Sequence, residues 1–250
     1  MKLNKKLLPL TGAAALALSG IAAPMTASAD VSASMAFSNM YLWRGLNISS
    51  NFDEIEDNNG TTHFLGSGSP QISGSLDYTH ASGFYAGAWG SNEGINGTET
   101  DLYAGFAGKL SEFSYNISYW WYLYPEAGGV GPETGLSDTD LSEVVLTLGY
   151  GPVSAGIYMG VDTELQGVDG SDYFYYTLGF NFLEKFNLTY GGWSFDEDGN
   201  NEYSHLTFTY SPTNELSFVV SKAMEDIEDS IEEDPLFQVT YKKSFDLAGK

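Results

Sequence analysis

Residues 113–124 read FSYNISYWWYLY, and their side chains alternate between two kinds over twelve positions. The first kind is apolar or aromatic: Phe113, Tyr115, Ile117, Tyr119, Trp121 and Leu123. The second is small, polar or amphipathic: Ser114, Asn116, Ser118, Trp120, Tyr122 and Tyr124. Successive side chains of a strand point to opposite faces, so this period predicts a strand with one apolar face. A length of about ten residues is typical of a strand that crosses a membrane in a β-barrel.

The same alternation recurs along the chain, and no segment shows comparable helical periodicity. It predicts twelve strands, at 31–44, 71–80, 84–91, 100–109, 113–124, 141–150, 153–161, 172–181, 186–195, 203–210, 215–224 and 236–245. Twelve is an even number, as bacterial single-chain barrels require. We therefore predict an all-β fold, a transmembrane antiparallel up-and-down β-barrel of about 12 strands.

The connections between these strands alternate strictly in length. Those after the even strands are short, at 81–83, 110–112, 151–152, 182–185 and 211–214. Those after the odd strands are longer, at 45–70, 92–99, 125–140, 162–171, 196–202 and 225–235, and they hold 24 of the 33 acidic residues with no lysine or arginine. This alternation predicts short periplasmic turns, longer acidic extracellular loops and two periplasmic termini.

The N-terminus has the features of an export signal. Lys2, Lys5 and Lys6 precede an apolar run at 7–21, and the small residues Ala27 and Ala29 frame a cleavage site. We expect a signal peptide at 1–29, an outer-membrane barrel domain at 30–250 and location in the bacterial outer membrane. The alternative is a membrane anchor, but the apolar run is short for a spanning helix.

Composition excludes several classes of partner and of structural support. The formal net charge is −23, so the chain would repel the phosphates of a nucleic acid. Cysteine is absent, so neither disulfides nor thiolate metal sites contribute to stability. The partners that we expect are outer-membrane lipid and lipopolysaccharide, the barrel-assembly machinery during insertion, and small solutes or cations.

Three stretches resemble the TorF-family porins, a proteobacterial group of about this length. They are SNMYLWRG at 38–45, GFYAGAWGSN at 83–92 and DLYAGFAGKLSEFSYNISYWWYLYP at 101–125. The resemblance implies an outer-membrane barrel with a pore, but it implies no substrate and no site residues. One departure concerns the C-terminus, where DLAGK follows Phe245 although barrels of this class commonly end on an aromatic residue.

The candidate site is a set of charges at the outer rim of the lumen. Arg44 is the only arginine, and the strand period places it on the inward face of the first strand. Asp101, Glu143 and Asp162 occupy inward positions near the same rim on other strands. These four residues could line a constriction that tunes ion passage. The favoured interpretation is a structural ion pair that closes the mouth or orders the first loop, because a buried guanidinium needs partners.

No motif for a cofactor, a metal or catalysis is convincing, and we expect none of the three. The run DEDGNNE at 196–202 resembles part of a calcium loop, but a solvated acidic turn is the default interpretation. His63, His80 and His205 form no H-E-x-x-H pattern. The pair His80 and Ser82 falls on a turn that we expect to be periplasmic, away from the outer leaflet.

Three functions remain open at this stage. The first is a narrow, cation-preferring porin for small solutes. The second is a closed barrel whose acidic loops have a structural or surface-interaction role. The third and weakest is a lipid-modifying enzyme of the outer membrane.

Overall fold

The computed structural model describes residues 29–49, 53–56, 62–65, 69–93, 97–124, 141–161, 164–165, 168–169, 174–194, 203–224 and 234–247. Residues 1–28 of the expected signal peptide, Asp162 and the acidic stretches 196–202 and 225–233 lie outside these ranges. The secondary structure of the described part consists of eighteen β-strands. No helix in this part of the chain is long and apolar enough to cross a membrane.

Twelve strands form one closed barrel, which confirms the predicted fold class. Every neighbouring pair is antiparallel, and the first and last strands pair from Ser32 with Asp246 to Ser38 with Thr240. The barrel strands are β1 (Asp30–Ser38), β6 (Gln71–Thr79), β7 (Phe84–Ser91), β8 (Glu99–Leu110), β9 (Phe113–Leu123), β10 (Leu141–Tyr150), β11 (Val153–Gly160), β14 (Phe174–Phe182), β15 (Phe186–Ser194), β16 (Tyr203–Tyr210), β17 (Leu216–Ala223) and β18 (Leu236–Asp246).

Six shorter strands form three separate two-stranded sheets in the long connections. They are β2 (Leu42–Trp43) with β3 (Leu46–Asn47), β4 (Asp53–Glu56) with β5 (Thr62–Leu65), and β12 (Glu164–Leu165) with β13 (Val168–Asp169). The short connections lie together at one end of the barrel, which we call the turn end, and the strand ends that the long connections join lie at the other, which we call the loop end. Ser111, Leu183 and Glu184 adopt positive φ in these short turns.

The predicted strand 31–44 is wrong at its C-terminal end, because β1 stops at Ser38. The Asn39 side chain ends the pairing with β18. Its Nδ2 donates to Phe237 O at 3.0 Å and its Oδ1 accepts from Val239 N at 2.7 Å. These two side-chain bonds take the place of the backbone hydrogen bonds that would continue the pairing of β1 with β18. The chain therefore leaves the barrel wall after residue 39.

The two faces of the wall differ as the alternation predicts. On β9, Tyr115, Ile117 and Tyr119 point outward and are exposed, whereas Asn116 and Ser118 point inward and are buried. Every barrel strand carries such outward apolar side chains, and they form a continuous apolar belt. A closed wall with an apolar exterior leaves no unpaired edge, which is the requirement for crossing a bilayer as strands. The protein is therefore a transmembrane β-barrel of the outer-membrane type.

Candidate functional site

A hairpin made of residues 40–49, which we call the plug hairpin, folds from the end of β1 into the barrel. Its turn residues Arg44 and Gly45 have φ values of 48° and 89°. Two left-handed positions in a row are typical of the tight turn that connects two strands, and glycine suits the second of them. The Ser49 hydroxyl accepts from Tyr41 N at 2.6 Å, and Ile48 N donates to Tyr41 O at 2.9 Å. These bonds close the base of the hairpin.

The turn carries Arg44 across the lumen to Glu143 on β10. Arg44 Nη1 donates to Glu143 Oε1 at 2.7 Å and Nη2 donates to Oε2 at 2.5 Å. Tyr122 OH on β9 also donates to Glu143 Oε2, at 2.8 Å. Glu143 is 0% exposed and Arg44 is 5% exposed. A bidentate pair removed from water in this way is held far more firmly than a surface ion pair, because losing either partner leaves a buried charge.

Four aromatic rings surround the same guanidinium. The distance from Arg44 Cζ to the ring centroid is 4.6 Å for Trp43, 4.5 Å for Tyr158, 4.7 Å for Tyr175 and 4.8 Å for Trp193. All four are within the range of a cation–π interaction. We call Glu143 and these four rings the guanidinium cage.

Behind the cage, two side chains of β16 hold the tip of the hairpin. Tyr203 OH donates to Gly45 O at 3.1 Å. A Cβ at position 45 would overlap the ring of His205 and the hydroxyl of Tyr203, so only glycine fits there. His205 Nε2 is 2.8 Å from Tyr175 OH and its Nδ1 is 2.9 Å from Thr207 Oγ1. His205 thus joins the hairpin, the cage and the barrel wall.

Two further carboxyl groups of β8 face the lumen beside the plug hairpin. Glu99 and Asp101 are 1% and 5% exposed. Tyr41 OH of the hairpin donates to Glu99 Oε1 at 3.1 Å. Glu99 Oε2 and Asp101 Oδ1 are buried without a hydrogen-bond partner from the described residues. Buried carboxylate oxygens need water, a proton or a cation, because desolvating the bare charge is costly.

The turn-end half of the lumen is lined mainly by small polar side chains, together with Tyr85, Tyr103 and Lys242. Asp77 accepts hydrogen bonds from Tyr103 OH and from Ser75 Oγ, and the Ser75 hydroxyl is 2.7 Å from that of Ser34. The inward positions of the other strands carry side chains of the same kind, among them Ser114, Ser154, Thr177, Thr189, Thr207 and Ser217. The aromatic cluster around Arg44 is therefore confined to the loop end, and the inward aromatic side chains nearer the turn end are Tyr85 and Tyr103.

The structure joins two of the four rim candidates in an ion pair. Arg44 and Glu143 form the ion pair, but Arg44 reaches the lumen from a hairpin and not from the face of β1. Asp101 faces the lumen on β8, and Asp162 lies outside the described residues. Glu99 was assigned to a loop in the sequence, although it begins β8. Tyr158, Tyr175 and Trp193 were missed, and their inward parity among glycines and serines was the available signal, whereas the strand period places Trp43 on the outward face.

The histidines show no catalytic arrangement in the described residues. His80 Nδ1 is 2.8 Å from Ser82 Oγ, on the exposed turn between β6 and β7. His205 contacts Thr207 and Tyr175, which hold its ring in place. No group of three or more His, Cys, Asp or Glu side chains in the described ranges is placed to hold a metal ion.

A family model covers most of the chain that builds this barrel and its plug. The model named Gcw_chp, a bacterial protein of unknown function, matches residues 22–211. This chain belongs to the Gcw_chp family. The matched region of this Gcw_chp protein includes the plug hairpin, Glu143 and all the cage residues. No curated protein matches the sequence.

Solved outer-membrane barrels are similar to the Gcw_chp chain at low identity. The KdgM porin is 8% identical, with a TM-score of 0.46 over 86% of this chain and 98% of its own. The NanC porin is 9% identical, with a TM-score of 0.42 over 86% and 97%. Outer membrane phospholipase A from Escherichia coli is 9% identical, with a TM-score of 0.41 over 85% and 91%.

Proposed function

We propose that this Gcw_chp protein is a narrow outer-membrane channel for small solutes, with a preference for cations. The observation that carries the proposal is the pair of lumen carboxyl groups on Glu99 and Asp101, which no basic side chain of the described residues neutralises by an ion pair. A carboxylate inside a narrow, low-dielectric passage acts on a passing ion much more strongly than one in bulk water. Such a passage attracts cations and repels anions.

The plug hairpin is the constriction of the proposed channel. It narrows the loop-end half of the lumen, while the turn-end half is lined mainly by small polar side chains, with Tyr85, Tyr103 and Lys242 among them. The same proposal includes membership of the TorF-family porins, export by a cleaved signal peptide, location in the outer membrane, insertion by the barrel-assembly machinery and contact with lipopolysaccharide. It also includes the absence of catalytic activity.

The test is a planar-bilayer recording of the refolded, full-length protein in a gradient of dilute KCl. We expect discrete conductance steps and a reversal potential that favours K⁺ over Cl⁻. The double variant Glu99→Gln, Asp101→Asn should move the reversal potential toward zero without abolishing conduction. Glu112→Gln, on an exposed turn at the other end of the barrel, is the matched control and should leave selectivity unchanged. Selectivity that is unaffected by the double variant would contradict the proposal.

A closed barrel is the second candidate, and the packing of the plug hairpin favours it. The hairpin and the wall share two apolar clusters, one around Tyr158, Tyr175 and Trp193 and the other around Met40, Leu42 and Val219. If these clusters exclude all ions, the acidic loops provide a surface function. Absence of conductance from a correctly folded, heat-modifiable protein would favour this second candidate.

A further inference from the structure

The guanidinium cage combines a bidentate carboxylate with four aromatic rings, which is more than is needed to hold the plug hairpin in the barrel. We infer that the cage is a binding site for diffusible solutes that carry a guanidinium group, and that Arg44 occupies it as a competitor within the same chain. This inference deepens the proposed function and rests on it, because it names the class of solute that the channel admits.

The barrel wall builds most of the cage without help from the hairpin. Glu143 lies on β10, Tyr158 on β11, Tyr175 on β14 and Trp193 on β15, which are four consecutive strands of the closed sheet. The Tyr158 and Tyr175 rings are 5.3 Å apart, and the Tyr175 and Trp193 rings are 4.8 Å apart. Of the five cage residues, the hairpin supplies only Trp43. If the hairpin withdraws, one carboxylate and three packed rings stay in position.

The geometry of the cage is specific for a flat, delocalised cation. The two oxygens of Glu143 accept two parallel bonds from Nη1 and Nη2, a pattern that an ammonium group cannot reproduce. The surrounding rings stack on a planar guanidinium and attract its charge. The same site should therefore bind a primary ammonium ion much more weakly.

The occupation of the cage by Arg44 is open to competition. The strands β2 and β3 pair only with each other, so no backbone ladder fastens the hairpin to the wall. Arg44 also has a φ of 48°, a region that costs energy for a residue with a side chain. The carboxyl groups of Glu99 and Asp101 lie within electrostatic reach of Arg44, so the ionised form of either one favours the approach of a second cation beside the cage.

The test measures binding of ethylguanidinium chloride to the refolded, full-length protein in detergent by isothermal titration calorimetry. Arg44→Ala vacates the cage, and we expect saturable binding at least tenfold tighter than in the wild type. Ethylammonium chloride at the same ionic strength should bind at least tenfold more weakly than ethylguanidinium. Adding Glu143→Gln to Arg44→Ala should remove the binding.

A second variant empties the cage without changing any residue that touches the ligand. Gly45→Ala places a Cβ against His205 and Tyr203, so the tip of the plug hairpin no longer fits in its position beside the cage. It should also bind ethylguanidinium more tightly than the wild type. Gly151→Ala is the matched control, because Gly151 is another left-handed glycine with no neighbour within 4 Å of an added Cβ. It should bind as the wild type does.

The outcomes separate this inference from the proposed function. If Arg44→Ala does not fold, Gly45→Ala decides the question. The inference is overturned if a folded variant with an empty cage shows no saturable binding of ethylguanidinium. It is also overturned if that variant binds ethylguanidinium and ethylammonium equally well. Conductance is measured separately, so a barrel that binds ethylguanidinium but passes no current overturns the channel and leaves the binding site intact.

Discussion

At the scale of single residues, the lumen holds two kinds of buried acid. Glu143 accepts hydrogen bonds from the Arg44 guanidinium and from Tyr122, whereas one oxygen of Glu99 and one of Asp101 have no partner from the described residues. The first arrangement stabilises the folded state as a unit. The second costs stability, which is common where a charge is kept for function.

This contrast predicts opposite effects of two matched substitutions. Glu143→Gln removes the charge that faces Arg44, and breaking a buried ion pair in this way costs about 3–5 kcal/mol. Glu99→Gln keeps an acceptor for Tyr41 and removes an unpaired buried charge, so stability should stay equal or rise. The measurement is the temperature at which the fast-migrating folded band is lost on a gel. Equal losses for both variants would contradict this account of the lumen.

The residue-scale site could be predicted only in part. The lone arginine and the inward carboxylates of Asp101 and Glu143 follow from the period of the strands. The cage does not, because the period gives the face of each side chain but not which strands a connecting hairpin will approach. Tyr158, Tyr175 and Trp193 come from three separate strands, and their convergence depends on the path of residues 40–49.

At the scale of elements, the plug hairpin fills part of the loop-end lumen and packs against the wall. Its position depends on the end of β1, where the Asn39 side chain takes over two bonds of the ladder. Residues 40–43 are all apolar or aromatic, which suits a strand well enough to hide this ending. The strand ends because one side chain, Asn39, bonds to the backbone of the adjacent strand. A single capping residue leaves no trace in the alternation of side chains, so this boundary could not be predicted from the alternation.

If the plug hairpin is the constriction of the channel, the conductance should depend on how firmly the hairpin is held in the lumen. In a barrel that conducts, Arg44→Ala removes the bond from the hairpin to the far wall, so the hairpin should leave the lumen more often. Single-channel conductance should at least double, or brief openings to a larger level should appear. The control is Lys243→Ala, which removes an exposed ion pair with Glu215. An unchanged current in the Arg44 variant would show that the narrowest point lies elsewhere.

At the scale of the whole molecule, the barrel has two chemically different ends. All the short turns lie at one end, and the long acidic connections begin and finish at the other. Twelve strands, their faces and this two-ended layout could be predicted, because every strand repeats the same alternation and each connection has a clear length. The wall is built of local hairpins, and local patterns suffice to specify it.

The orientation of the barrel can be tested by labelling on intact cells. Single cysteines at Ser82 and Thr213, both in short turns, should react with a membrane-impermeant thiol reagent only after the outer membrane is opened. A cysteine at the exposed position Asp234, beside the last long loop, should react without opening. The cysteine-free wild type is the background control. The reverse pattern of labelling would place the turns outside the cell.

The charge of the whole molecule predicts how selectivity depends on salt. The sequence predicts 24 acids in the long connections, and we expect their field at one mouth to concentrate K⁺ and repel Cl⁻. The Debye length falls to about 3 Å at 1 M salt, so this contribution should shrink with ionic strength. Neutralising the seven acids at 225–234 should weaken the preference modestly at low salt and hardly at all at 1 M. Anion selectivity in dilute salt would contradict the prediction.

The pairing of β1 with β18 has a consequence for biogenesis. These two strands are the most distant in the chain, yet their register from Ser32–Asp246 to Ser38–Thr240 seals the wall. Until the final strand has been exported, the nascent sheet keeps two unpaired edges that could join another chain. Ring closure must therefore come last, and it brings the beginning and end of the barrel side by side. A circular permutant that joins residue 247 to residue 30 and opens the chain within 125–140 should still close, with β9 and β10 as its terminal strands.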